Sequence, residues 1–167
     1  MLVQRARGGD TAAFTALFHR HYAAVREFAY RVVLDAHGAD DVAQESFIRA
    51  ARQLETLRDG QAFVAWIYRI ASRVSFSQLR ARRAHQHKLQ RAALEEPDAS
   101  VESPTEDGQR ALAAMQSLPA KLRQAVALVI LDGLSHAEAA SRLDCAESTI
   151  SWRIFRAKRA LRRKCLP

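Results

Sequence analysis

The stretch EEPDASVESPTEDG, residues 95–108, limits what this chain can become more than any other. It holds six acids, two prolines and two serines, and only Ala99 and Val101 are apolar. Such a composition buries too little apolar surface to offset the entropy lost on ordering. It reads as a flexible linker over residues 92–108 and divides the remainder into two bodies, 1–91 and 109–167. Each body is short, so each needs helices with one strongly apolar face to build a core.

Charge follows the same division. Residues 1–94 carry 15 basic and 8 acidic side chains, residues 95–107 carry six acids and no base, and residues 108–167 carry 11 basic and 4 acidic side chains. Two bodies of +7 flanking a strap of −6 point to a polyanionic partner for both. No run of about 18 uncharged apolar residues occurs, so no membrane span is expected. The N-terminus, MLVQRARGGD, lacks the apolar stretch and cleavage site of a secretion signal, which makes the cytoplasm the expected compartment. Cys145 and Cys165 form neither a zinc pair nor a disulfide framework and read as unrelated thiols. His85 and His87 lack a local partner to complete a metal site and read as solvated loop, so no metal or other cofactor is expected. No phosphate loop, nucleophile motif or usefully spaced carboxylate pair is present, which argues against an enzyme.

No strand-like alternation or internal repeat interrupts the helical periodicity. Asp10 is placed to cap a long helix carrying Phe14, Leu17, Phe18, Val25, Phe28, Ala29 and Val32 on one stripe. DAHGAD then breaks it, with Gly38 as helix end and Asp40 as the next cap. DDVAQESFIRAARQL forms a second helix with Phe47, Ala51 and Leu54 as its core face, and a third runs from about Ala62 to Arg83. Phe63, Trp66, Ile67, Ile70 and Val74 make its apolar stripe. At 100° per residue, Arg69, Arg73, Phe76, Arg80 and Arg83 fall together within an arc of about 80° on another face. Four arginines around one aromatic exceed what a merely solvated face needs.

In the second body, GQRALAAMQSL stops before Pro119, and AKLRQAVALVIL, apolar on three sides, is the expected centre of that core. SHAE at 135–138 is a capping box that starts SHAEAASRL. Asp144-Cys145-Ala146 is then a three-residue turn into ESTISWRIFRAKRALRRK, with Asp144 filling the place often taken by glycine. Helix, short turn and basic helix make a helix-turn-helix. On the basic helix Ile150, Ile154, Ala157 and Leu161 share one side, and Ser148, Trp152, Arg156, Arg159 and Arg163 lie opposite. The fold expected is all-α: two small helical domains joined by a flexible acidic linker, the C-terminal one containing the helix-turn-helix.

DDVAQESFIRAAR, FVAWIYRIASRVSFSQLR and LPAKLRQAVALVILDGLSHAEAASRLDCAESTISWRIFRAKRAL, in this order and spacing, resemble the signatures of the extracytoplasmic-function (group 4) sigma factors of bacterial RNA polymerase, in the sigma-70 family. LVQRARGGDTAAFTALFHRHY fits the family's first helix, so the resemblance covers essentially the whole chain. It implies a promoter-specificity factor without a catalytic centre, a monomer when free. The first of these helices would dock on the clamp helices of the polymerase's largest subunit through Asp41, Gln44, Glu45, Ile48, Arg49 and Arg52.

The loop LETLRDGQAF and the third helix would melt and hold the minus-ten element through Arg58, Asp59, Arg69, Arg73, Phe76, Arg80 and Arg83, with Trp66 and Ile67 in the core. The last helix would enter the major groove of the minus-thirty-five element. There Glu147, Ser148, Ser151, Trp152 and Arg156 lie nearest the bases, Arg153, Arg159 and Arg163 meet the backbone, and Thr149 flanks them. Family members more typically carry glycine at 148, a basic residue at 151 and serine at 152. The resemblance also implies contact between the C-terminal domain and the polymerase flap, passage of the linker near the RNA exit path, and an anti-sigma partner, with no direct membrane insertion. A dimeric helix-turn-helix regulator would share the C-terminal half, but it would leave DDVAQESF without a task.

Overall fold

The computed structural model describes residues 2–92 and 106–165, and all of its regular elements there are helical. The first body comprises α1 (Leu2–Arg7), α2 (Thr11–Val33), α3 (Ala36–Gln53) and α4 (Phe63–Ala92). The second comprises α5 (Glu106–Gln116), α6 (Ala120–Val126) running into a π-helical turn (Ala127–Leu131), α7 (His136–Leu143) and α8 (Glu147–Cys165). Most of the expected linker lies outside the described residues.

Asp10 caps α2 as expected, accepting the Ala13 amide at 3.0 Å. That amide, with the Arg5 guanidinium, holds the Asp10 carboxyl below its usual range. The break after α2 is not where the glycine placed it. Leu34 takes the left-handed conformation at φ 59°, its amide returns to the Tyr30 carbonyl, and Asp35, not Asp40, caps α3. Gly38 lies inside α3 and is buried. A Cβ there would fall 2.6 Å from the Asp35 carboxylate and 2.7 Å from the Arg82 guanidinium, so its glycine serves a close approach, not a helix end. Asp40 instead pairs with Arg26, which lowers the carboxyl's pKa.

On α3 the buried face is Val42, Ala43, Ser46, Phe47 and Ala50. Ala51 is exposed, because the helix turns its seam toward both α2 and α4. The core residues of α4 are Phe63, Ile67, Tyr68, Ile70, Ala71 and Val74, whereas Trp66 is half-buried against Phe63. With no proline or glycine before Pro97, α4 continues past Arg83 to Ala92, so His85 and His87 sit on a helix and not in a loop.

Leu122, Ala125, Val126, Ala127 and Leu128 fill the second core, as expected for its central segment. Its last turn departs from that expectation. The π-helical turn rotates the end of the segment relative to the core, leaving Ile130 and Leu131 about half exposed (45% and 50%). Ser135 and Glu138 form the capping box, and Asp144 ends α7 in the left-handed conformation at φ 53°. Ile150, Ile154 and Ala157 are the buried seam of α8, with Leu161 packed at its edge.

The two cores meet. α7 packs on α4, and α6 packs on α2. Tyr68 of α4 is the junction: its ring lies 5.1 Å from that of Phe28, and the Arg142 guanidinium of α7 sits 4.8 Å above it. Beside it the buried Gln124 amide donates to the Ser72 hydroxyl at 2.9 Å.

The capping box supplies a check on α7. Ser135→Ala removes the acceptor for the Glu138 amide and is expected to lower unfolding stability by about 1 kcal/mol, read from urea denaturation. An unchanged midpoint would show that α7 is held by its packing on α4 alone.

Candidate nucleic-acid interface

The helix-turn-helix is built by short-range chemistry. The Ser135 hydroxyl and amide hold Glu138, keeping its carboxyl ionised below the usual range. His136 at the start of α7 meets the Ser151 hydroxyl at 2.9 Å, so the two helices are tied near their N-terminal ends. Small Ala139 and Ala140 are buried where the helices approach.

With its seam on the core, α8 leaves Glu147, Ser148, Ser151, Trp152, Arg156, Arg159 and Arg163 exposed. Trp152 is 55% exposed, and the Arg156 guanidinium lies 5.2 Å from its ring. Phe155 is 62% exposed, and with Lys158, Arg159, Arg162 and Arg163 it lines a shallow cationic groove. Thr149 and Arg153 are half-buried, and Arg153 donates toward the Cys145 sulfur in the turn at 3.8 Å. The residues assigned to the major groove therefore form one surface, with Thr149 and Arg153 at its inner margin.

The arginines on α4 are brought together differently. Arg80 and Arg83 are exposed and Phe76 is half-buried. Arg73 and Arg69, however, face Asp144 of the helix-turn-helix turn, at 3.3 and 3.6 Å. These three residues, with Ser72, Phe76, Gln124 and Arg153, line a small groove between the two bodies. The turn covers much of the Arg69 side chain, whereas Arg73 stays largely exposed beside Asp144. Arg58 and Asp59 are exposed on the loop before α4, where Asp59 accepts the Gln61 amide at 2.9 Å and so shapes the turn Gly60–Ala62.

That turn borders a cleft of about 530 Å³ whose other wall is Leu2, Val3, Leu17, Arg20 and His21. Burial, reinforced by nearby Arg20, lowers the His21 pKa, and its ring lies 5.5 Å from Phe63. Sequence reading missed Arg20 and His21 here. No local pattern links the start of α2 to a loop some forty residues on; only the packing of α1 and α2 joins them.

On α3, Asp41, Gln44, Ile48 and Arg52 are exposed, and Glu45 and Arg49 form a half-exposed ion pair at 2.7 Å. All six lie away from the buried face. Ile48 is 46% exposed, an apolar centre in an otherwise polar strip.

Two family models match the chain: Sigma-70 region 2 over residues 17–85 and Sigma-70, region 4 over residues 108–161. Over 180 aligned positions the chain is 34% identical to the ECF RNA polymerase sigma-E factor of Salmonella typhimurium, an alignment covering 100% of this chain and 94% of that relative. Two solved structures are similar at 25% identity. The sigma factor RpoE in complex with the anti-sigma factor NepR, from Bartonella quintana, gives a TM-score of 0.71 over 90% of this chain and 95% of that one. CnrH in complex with the cytosolic domain of CnrY gives 0.70 over 97% and 93%.

The contact between turn and arginines is testable in the free protein. Asp144→Asn keeps a residue that tolerates the left-handed conformation while removing the charge from both pairs. Such exposed pairs are worth about 0–1 kcal/mol each, so losing both should raise the ratio of separated to closed molecules by up to about thirtyfold. Single-molecule energy transfer between dyes at exposed Thr11 and Ala137 reads this directly. An unaltered distance distribution would show that Asp144 does not hold the turn on α4.

Proposed function

This chain belongs to the extracytoplasmic-function sigma factors of the sigma-70 family, non-catalytic subunits of RNA polymerase that direct transcription initiation, and we propose how its own residues divide that work. Residues 1–91 bind core polymerase and the minus-ten element, residues 109–167 bind the minus-thirty-five element, and residues 92–108 connect them. The observation that carries the reading is α8: a buried apolar seam on one side, an exposed cationic face on the other, seated on a capped helix-turn-helix. A free cationic face beside the exposed N-terminal residues of a recognition helix suits backbone positioning and base readout together.

The exposed strip of α3 suits docking on the clamp helices, with Ile48 as its apolar centre and Asp41, Gln44, Glu45, Arg49 and Arg52 around it. Arg58, Arg80 and Arg83 meet the backbone of opened DNA, and the cleft beside Asp59 and Phe63 takes an unstacked base. Arg69, Arg73 and Phe76 join them once the helix-turn-helix turn leaves α4. Promoter engagement on both elements therefore requires the two bodies to separate. The cytoplasm is the working compartment, where core polymerase and DNA are found. An anti-sigma partner, as in the Bartonella quintana complex, would act on the same two bodies.

Promoter-dependent transcription with purified core polymerase tests the whole reading; no binding to core and no specific transcript would overturn it. Replacing Gln44 and Glu45 together by alanine should lower core affinity and leave the C-terminal DNA contacts intact. Arg159→Ala should weaken holoenzyme binding at all promoters and reduce the slope of log K against log salt by about 1. Loss confined to one base pair would instead make Arg159 a base reader.

A further inference from the structure

Trp152 stands out among the exposed apolar side chains. Tryptophan is usually largely buried, yet this one is 55% exposed, six residues into α8 and on the side facing away from Ile150 and Ile154. One turn later the Arg156 guanidinium lies 5.2 Å from the indole centroid. Their separation is the helical i,i+4 spacing, which brings two side chains of one face together. Among the described residues no carboxylate pairs with Arg156, and its partner is the ring. An aromatic face limits where a flat guanidinium can lie while leaving its N–H groups free to donate.

Resting on the minus-thirty-five assignment above, we propose that Trp152 and Arg156 act as one reading unit, which recognises a G·C pair with a T·A pair beside it. Arg156 presents its fork to the O6 and N7 acceptors of guanine. Trp152 positions that fork with its ring face and sets its apolar edge against the C5-methyl group of the neighbouring thymine. Docking removes water from the indole and from the guanidinium together, which strengthens the attraction between them just when the bases are engaged. Trp152 is thus the specificity-determining residue, and Arg156 depends on it. Ser148 and Ser151 are too short to offer an equivalent apolar edge, and Ser151 is already engaged with His136.

The test uses the full chain bound to core polymerase and promoter fragments recovered from a library randomised in the minus-thirty-five element. Wild type should select a guanine next to a thymine, and Trp152→Ala should relax the preference at both positions together, by about tenfold or more. Replacing that thymine by uracil, which lacks only the methyl group, should weaken wild type severalfold and leave Trp152→Ala unchanged. In a double-substitution cycle, Trp152→Ala and Arg156→Ala should cost less together than the sum of each alone. Trp152→Phe, which keeps a smaller ring, should fall between. The inference is overturned if Trp152→Ala weakens all sequences equally, if uracil is tolerated by wild type, or if the two substitutions are additive. If Trp152, Arg156 and Arg159 can all be replaced without altering minus-thirty-five preference or promoter affinity, the assignment of α8 to that element itself fails.

Discussion

Everything in this molecule leans on α4. One side of it, through Phe63, Ile67, Ala71 and Val74, closes the core made with α2 and α3. The adjoining side, through Tyr68 and Ser72, receives Arg142 and Gln124 of the second body. Burying a side chain the size of Ile67 removes it from water at a gain of about 1.5–3 kcal/mol. Three helices, α2, α3 and α4, therefore share the first body's core, while Tyr68 marks where the second body rests. Its hydroxyl points back to the Ala24 carbonyl at 3.5 Å, and burial raises its pKa, so it stays neutral beneath the Arg142 cation.

The same surface also holds buried polar atoms without partners. Arg123 is buried at 7% exposure with no partner for its Nε, and burial together with nearby Arg83 disfavours its charge. The Arg69 Nε is likewise buried and unpaired. Both are costs of the closed arrangement that separation would relieve. Against them stand the Gln124–Ser72 bond, the Arg142–Tyr68 stack and ion pairs from Arg31, Arg69 and Arg73, all but the first partly in water. On the minus-ten assignment proposed above, a phosphate backbone would offer Arg69 and Arg73 more negative charge than one aspartate does, and would compete with the turn for both guanidiniums.

Much of this was legible in the sequence where the determining chemistry is local. Asp10, the Ser135–Glu138 box and Asp144 each act through a backbone group within a few residues, and each sits where the sequence placed it. The two-sided character of α8 is a matter of period and was equally readable. What stayed hidden depends on partners far along the chain. Leucine is a poor signal for a left-handed residue, so Leu34 concealed the true break, and Gly38 drew the assignment toward itself for a reason that lies on Arg82. The π-helical turn that exposes Ile130 and Leu131 is invisible in a run of apolar residues, because hydrophobicity carries no record of one extra residue per turn. The cleft uniting Arg20 and His21 with Asp59 and Phe63, and the seat of Asp144 on α4, are products of tertiary packing alone.

Charge placement joins these strands. Residues 108–167 contain only four acids, and none of those is an idle surface group. Glu138 completes the cap of α7, and Glu147 opens α8, where the helix dipole favours it. The other two, Asp132 and Asp144, both face arginines of the first body: Arg31 on α2, and Arg69 and Arg73 on α4. Two bodies that each carry a strong positive charge repel at long range, and these two carboxylates are what locally reverses the sign where they touch. Salt acts on both terms, screening the repulsion that opens the molecule and the pairs that close it. On the proposed minus-ten assignment, a bound polyanion would do otherwise: it would neutralise each body separately and compete with Asp144 for Arg69 and Arg73. If Arg69 and Arg73 hold DNA as proposed, the opening of the two bodies is coupled to DNA by those same two arginines.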